Sequence, residues 1–336
     1  MKIICLIISI ASALSVSALS VSAQSWFPDI LGVGYEACKI DLGKDYNGEI
    51  SCTLVRLKSD CAKKRAVLYI HGFNDYFFQK EMGEEFKANC YNFYALDLRK
   101  YGRSLMPGQN RGELRNMNEY CADIDTALNV IRQEGNDTII LLGHSTGGLA
   151  AAYYLAENPT APVDALILNS PFLDWNLGKL ECFINLVSSM AAVFPSVKVE
   201  TGGSNTYSHS LLKKYHGEWD YDTIWKNPSS TKVDLRWIRA INSAQHKLRN
   251  MKGKIHVPIL VLRSLKSATL NAWTPEANQA DVVLDVKDIT KYGRMLGPDV
   301  TIIALRGGLH DLSLSSPKVR NAYYNTIFDW LDDNHL

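Results

Sequence analysis

The sequence predicts an α/β fold: a mostly parallel eight-stranded sheet flanked by helices, with an inserted helical cap. Three observations carry this. Short, fully apolar runs recur along the chain, each ending at a small or polar residue, as strands buried on both faces of a parallel sheet do. Amphipathic stretches of helical period lie between them, so strand and helix alternate. Residues 172–252 break this rhythm and hold no strand of the same quality.

Taken in order, residues 35–41 and 50–57 alternate and are rich in β-branched side chains, which reads as two strands. Asn47-Gly48 between them is a turn signal, so the two form a hairpin. That hairpin puts Cys38 nearly opposite Cys52, where a cross-strand disulfide fits. The third strand, 66–70, ends at His71-Gly72, and the fourth, 91–96, ends at Asp97. The fifth, 138–142, ends at Gly143, and the sixth, 165–169, at Ser170-Pro171. Residues 259–262 and 300–304 complete the eight, and 117–133 and 148–157 read as helices. The interrupting stretch holds an apolar helical run at 180–194, the passage Gly202-Gly203-Ser204, and a segment with Trp219, Trp225 and Trp237. The chain thus divides into a core, residues 24–171 and 253–336, and a cap, residues 172–252.

Residues 1–23 read as a cleavable signal peptide. Lys2 is the positive start, residues 3–10 the apolar stretch, and Val21-Ser22-Ala23 the cleavage site, with Val16-Ser17-Ala18 as the alternative. The apolar stretch is shorter than the roughly 20 residues of a membrane span, so a secreted or periplasmic protein with no stable span is expected. Cys5 leaves with the signal, and Cys38, Cys52, Cys61, Cys90, Cys121 and Cys182 remain. An even count in an exported chain favours disulfides, against the alternative of buried free thiols. No CxxC pair and no histidine pair has zinc spacing, so neither metal nor cofactor is expected. The formal net charge of +1 offers nothing to a polyanion, so the partner is a small molecule and not nucleic acid. Asn136-Asp137-Thr138 is a glycosylation sequon.

Gly143-His144-Ser145-Thr146-Gly147-Gly148 follows a buried strand and opens a helix. This is G-x-S-x-G in the setting that lifts a serine out of a sheet on a tight, strained turn. A Cβ at Gly143 or Gly147 would collide with neighbouring backbone. Ser145 is therefore the candidate nucleophile. Three further motifs accompany it: His71-Gly72-Phe73, Asp97-Leu98-Arg99-Lys100-Tyr101-Gly102-Arg103-Ser104, and Gly308-Leu309-His310-Asp311.

On these four motifs the chain resembles, over roughly residues 35 to 335, the monoacylglycerol lipase, lysophospholipase and serine aminopeptidase (S33) group of α/β-hydrolases. It departs from that group at Lys100, where the family's D-x-R-G-x-G-x-S pattern has glycine. The resemblance implies an oxyanion hole made by the backbone N–H groups of Phe73 and Thr146, with His71 bracing the loop. It implies His310 as general base. His144, His209, His216, His246, His256 and His335 are placed less well. It puts the catalytic acid after the seventh strand, where Asp281 before Val282-Val283 matches best and Asp285 is the alternative. Asp311 would brace the loop beside His310. The family's sheet order puts Cys61 and Cys90 at one end of neighbouring strands, so they can pair, which leaves Cys121 and Cys182 to tether the cap.

The activity implied is hydrolysis of a carboxylic ester, with a small acyl ester or amide as substrate. A serine aminopeptidase or amidase and a non-catalytic ligand-binding homologue are the alternatives. Leu180, Phe183, Ile184, Leu186, Val187, Met190 and Val193 form an apolar helical face, which either lines an acyl pocket or only packs on the core. Tyr76, Phe77 and Phe78 would line the entrance.

Overall fold

The computed structural model describes residues 24–176, 181–200, 205–229 and 231–336, and not the side chains of Glu181 and Cys182. The expected signal peptide, Leu180 and the Gly202-Gly203-Ser204 passage lie outside the described residues.

The hairpin forms from β2 (Tyr35–Asp45) and β3 (Gly48–Leu57), with a two-residue β1 (Phe27–Pro28) added at the edge. Then come β4 (Arg65–Ile70), α1 (Lys80–Ala88), β5 (Asn92–Asp97), α2 (Asn118–Gln133), β6 (Thr138–His144), α3 (Thr146–Glu157) and β7 (Ala165–Asn169). The interrupting stretch supplies α4 (Glu181–Met190), β8 (Lys198–Glu200), α5 (Thr206–Leu211), β9 (Lys232–Asp234) and α6 (Leu235–Asn250). The chain returns through β10 (Ile259–Ser264), α7 (Val286–Gly293), β11 (Val300–Leu305) and α8 (Pro317–Asp333).

The main sheet has nine strands in the order β1-β2-β3-β5-β4-β6-β7-β10-β11, and every pair from β5 to β11 is parallel. The eight expected strands are present. The ninth is too short to leave a sequence pattern, and its proline is tolerated because it sits at an edge. One apolar layer lies under α2, α3 and α6, including Leu68, Leu141 and Ile241. The other lies under α1 and α8, including Val67, Phe86 and Tyr323. Parallel strands covered on both faces bring the carboxyl ends of β4, β6, β7, β10 and β11 to one rim, where open α/β sheets carry their sites.

Lys100 shows how the departing motif is accommodated. It keeps the left-handed backbone a glycine would adopt, with φ 64°, at a cost of ~1–2 kcal/mol. Its side chain is fully buried and its ammonium lies 2.6 Å from Asp45 and over the Tyr46 ring. The turn survives because the lysine found a partner in the hairpin.

Cys61 and Cys90 are bridged, with Cα atoms 5.4 Å apart. The Cys38–Cys52 pairing is not made. The hairpin register sets Cys38 opposite Leu54 and Cys52 opposite Ile40, so the two thiols are two positions out of step and both are free and buried. Cys121 is also a free thiol, and the side chain of Cys182, its expected partner, lies outside the described residues. Burial pushes the Cys121 thiol up to about 12. Nor is Asn136 open to a glycan: it is buried, and its amide donates to the Ile131 carbonyl and the Tyr94 hydroxyl.

The Cys61–Cys90 bridge closes a loop with a sequence separation of 29. Replacing both cysteines by serine should lower unfolding free energy by about 3 kcal/mol through the unfolded chain's regained freedom. Urea unfolding measures it, and Cys121→Ser, which removes only a free thiol, should leave the midpoint nearly unchanged.

Candidate active site

Ser145 sits between β6 and α3 with φ 52° and ψ −116°, a conformation that L-residues rarely adopt. Glycines make that turn possible. A Cβ on Gly143 would lie 2.6 Å from the Gly147 carbonyl oxygen, and one on Gly147 would lie 2.3 Å from that of His71. Backbone hydrogen bonds pin the serine: its N–H donates to Asn169 O at 3.0 Å, and its carbonyl accepts from Phe172 at 3.0 Å.

The structure brings Ser145, His310 and Asp281 into one hydrogen-bonded line. His310 Nε2 lies 3.0 Å from Ser145 Oγ, and His310 Nδ1 lies 2.9 Å from Asp281 Oδ2. Asp281 is fully buried, and its other oxygen accepts from the N–H groups of Val283 and Leu284, each at 2.8 Å. Those bonds fix the carboxylate's orientation, so the Nδ1 proton has a stationary acceptor. Asp285, the alternative acid, instead caps α7, accepting from the Lys287 N–H at 2.8 Å. Asp311 does brace its loop, accepting from Ser313 and from the Asn169 amide.

Thr146 is the first residue of α3 and the Ser145 side chain does not cap the helix. Its N–H is therefore one of those a helix leaves without an intrahelical acceptor. The peptide joining Gly72 to Phe73 is held from the other side. The Leu98 N–H donates to His71 Nε2 at 3.1 Å, which makes Nδ1 the protonated nitrogen, and Nδ1 lies 2.7 Å from the Gly72 carbonyl. Fixing that carbonyl fixes the opposed Phe73 N–H. Asp97 adds a second brace, accepting from Phe77 N–H at 2.9 Å and from Arg103.

A cavity of about 210 Å³ opens over Ser145 and His310. Its lining combines apolar surface, including Phe73, Pro228 and Val283, with the polar side chains of Asn74, Asp75, Asn205, Ser208, Lys226 and Asn227. Asp75 is paired with Lys226 at 2.6 Å, and both are buried. Sequence reasoning missed this pair, because its partners are 151 residues apart and neither stands in a motif.

Of the two readings of the α4 face the structure shows packing on the core, and the expectation about the entrance is corrected. Among the described residues, none from α4 lines the cavity. Ile184 and Val187 pack on the core, while Phe183, Leu186, Met190 and Val193 face outward. Tyr76, Phe77 and Phe78 are buried and do not line the entrance. Tyr76 and Phe78 instead pack on Trp225, Trp219 and Tyr221, so the aromatic run after the residue 71–73 loop anchors the segment that roofs the site. A helical stripe identifies an apolar face but not which way the helix turns it.

These features define an α/β-hydrolase. The profile of the family described as serine aminopeptidase, S33, matches residues 62–313, and the chain belongs to that family. It is a hydrolytic enzyme. Phospholipase YtpA of Bacillus subtilis is 25% identical over 204 residues, covering 59% of this chain and 74% of that one. A probable lysophospholipase L2 of Haemophilus influenzae is 24% identical over 250 residues, covering 69% and 79%. In fold, a soluble variant of the monoglyceride lipase of Saccharomyces cerevisiae superposes with a TM-score of 0.65 at 18% identity, covering 88% of this chain and 94% of that one.

His144 lies beneath His310, with ring centroids 4.9 Å apart. Burial holds its pKa below the usual 6.5, a shift that Asp311 only partly opposes. A histidine that binds its proton less readily when folded contributes stability fully present above pH 6.5 and lost as pH falls below it. Urea unfolding between about pH 7.5 and about pH 5.5 should show the loss, and His144→Gln should flatten it.

Proposed function

We propose that the chain is an exported serine esterase that cleaves carboxylic esters of the monoacylglycerol or lysophospholipid type. The hydrogen-bonded line from Asp281 through His310 to Ser145, at the floor of a cavity, carries this reading. Asp281 holds the Nδ1 proton, leaving Nε2 free to accept. Ser145 Oγ attacks the ester carbonyl carbon as its proton passes to Nε2. The carbonyl π electrons move onto oxygen, and the Phe73 and Thr146 N–H groups stabilise that charge. The tetrahedral carbon collapses, the C–O bond to the alcohol breaks, and His310 returns the proton to the departing oxygen. Water, deprotonated by the same nitrogen, then attacks the acyl-enzyme; the C–O bond to Ser145 Oγ breaks, Nε2 returns the proton to Oγ, and the acid is released.

A lining that mixes apolar surface with amide, hydroxyl and charged side chains suits an ester with an apolar acyl group and an alcohol that carries hydroxyls, as a glycerol-type head does. The names of the relatives point the same way. An aminopeptidase needs an unpaired carboxylate for the substrate's α-amine. Asp75 is the acidic residue lining the cavity, and Lys226 already neutralises it. Export draws support from residues 1–23 and from the Cys61–Cys90 bridge, since disulfides persist in oxidising compartments.

Ser145→Ala should abolish hydrolysis of p-nitrophenyl esters and of monoacylglycerol, with fluorophosphonate labelling lost in parallel. Turnover of amino-acid nitroanilides without ester turnover would assign the chain to the aminopeptidase reading. Labelled Ser145 without turnover of either class would leave the substrate wrong but the nucleophile right. His71→Ala, which frees the Gly72 carbonyl, should lower kcat by about 10- to 100-fold with little change in KM, because the loss falls on the transition state.

A further inference from the structure

A second cavity, of about 850 Å³, lies where the loop after β10 meets α7, and it shares no lining residue with the active-site cavity. Its walls carry five cationic side chains, Arg263, Lys266, Lys287, Lys291 and Arg294, against one carboxylate, Asp285. Two of the five are engaged: Lys266 pairs with Glu276 at 2.6 Å, and Lys291 lies 3.0 Å from the Tyr292 hydroxyl. The Asp285 carboxylate caps α7. Among the described residues, Arg263, Lys287 and Arg294 make no ion pair.

Arg263 is the most telling of the three. Nη1 donates to the Ser264 carbonyl at 2.8 Å, but Nε is buried without a partner. Burial and the like charge of Arg294 both hold this guanidinium below its usual pKa. An unpaired, partly desolvated cation beside another cation is costly, and an anion between them would relieve both terms. The groove is also preformed. Its floor is tied to the loop carrying Asp281: the Asp281 N–H donates to Lys266 O at 3.0 Å, and Ser267 Oγ bridges Leu284 O and Val286 N.

The geometry points to an anion-binding groove at Arg263, Lys287 and Arg294 that takes a phosphate group. Guanidinium forks match phosphate oxygens in pairs, and a lysine adds a point charge. The groove's size leaves room for whatever the phosphate is attached to, either a free phosphorylated molecule or a lipid headgroup presented by a membrane.

Titration calorimetry of the full chain with inorganic pyrophosphate, at low ionic strength, reads the first source. Sedimentation with phosphatidylglycerol vesicles, beside phosphatidylcholine vesicles, reads the second. Arg263→Gln with Arg294→Gln should weaken binding about tenfold or more, and added salt should weaken it further. Arg294→Gln with Lys287→Gln, both exposed positions, tests the same site should the Arg263 variant fold poorly. Lys39→Gln, an exposed cation on β2, should have no effect. Pyrophosphate binding that both double variants lose assigns a soluble ligand. Phosphatidylglycerol binding that they lose, without pyrophosphate binding, assigns a headgroup. Binding of neither probe, or binding the variants retain, overturns the proposal. Binding is the readout, so the result is independent of whether Ser145 is the nucleophile.

Discussion

The rest of the site depends on one backbone constraint, the left-handed turn at Ser145. A non-glycine residue held at φ 52°, ψ −116° costs ~1–3 kcal/mol, and it persists only because its surroundings leave no other choice. Its N–H and carbonyl are bonded to the backbone at the end of β7 and just beyond it. The glycines on either side let β4, β6 and α3 approach more closely than any Cβ would allow. The strain raises Oγ above the sheet rim. It also begins α3 at the next residue, so the unsatisfied Thr146 N–H and the positive end of the helix dipole lie beside the serine.

That turn would be idle without a second loop held at a matching height, and buried charge does the holding. Asp97 gathers the Phe77 N–H, the Arg103 N–H and the Arg103 guanidinium, and Arg103 reaches on to Asp29. Arg99 and Asp123 form a second buried pair alongside. Such pairs add little net stability over well-packed apolar groups, but removing one partner strands a charge in the interior and is strongly destabilising. The network therefore works as a geometric lock on residues 71–78. The roof is locked by the same chemistry, through Lys226 on Asp75 and the paired amides of Asn74 and the Asn227 backbone.

What was legible in the sequence follows from this. Ser145, His310 and the strands that carry them are local: a short apolar run, then a residue at its carboxyl end. Asp281 was legible through the two valines after it, since the N–H of Val283 holds its carboxylate. The Cys61–Cys90 bridge could be read once strand order was supplied. The Cys38–Cys52 pairing failed because a hairpin's turn signal does not fix register to the residue: the turn pairs Asp45 with Gly48, and even after the ladder shifts between Asp41 and Lys44 Cys38 stands opposite Leu54. The orientation of α4 stayed open for a related reason. Its stripe splits between core contacts at Ile184 and Val187 and exposed positions at Phe183 and Leu186, and periodicity gives no sign of which neighbours a face meets. Lys100 was visible as an anomaly, but its compensation by Asp45 is a contact across 55 residues that no motif encodes.

Why a lysine should stand against Asp75 beside the cleft can be argued from the charge that the proposed reaction develops. Asp75, Asp281 and Asp311 are all buried near Ser145 and His310. Three carboxylates in a region of low dielectric would oppose a nascent oxyanion, because Coulomb energies there are several times their value in water. Each is answered locally. Asp281 faces the ring that becomes an imidazolium. Asp311 is held below the usual carboxylate range although burial raises it, because His144, the Ser313 hydrogen bond, Lys226 and Asn169 together prevail. Asp75 has Lys226. With these charges compensated, two backbone N–H groups suffice to decide where negative charge is welcome. Lys226 also enters the account of Asp311, so one ammonium from the roof tempers two carboxylates of the core. The roof thereby becomes part of the site's electrostatics as well as its cover.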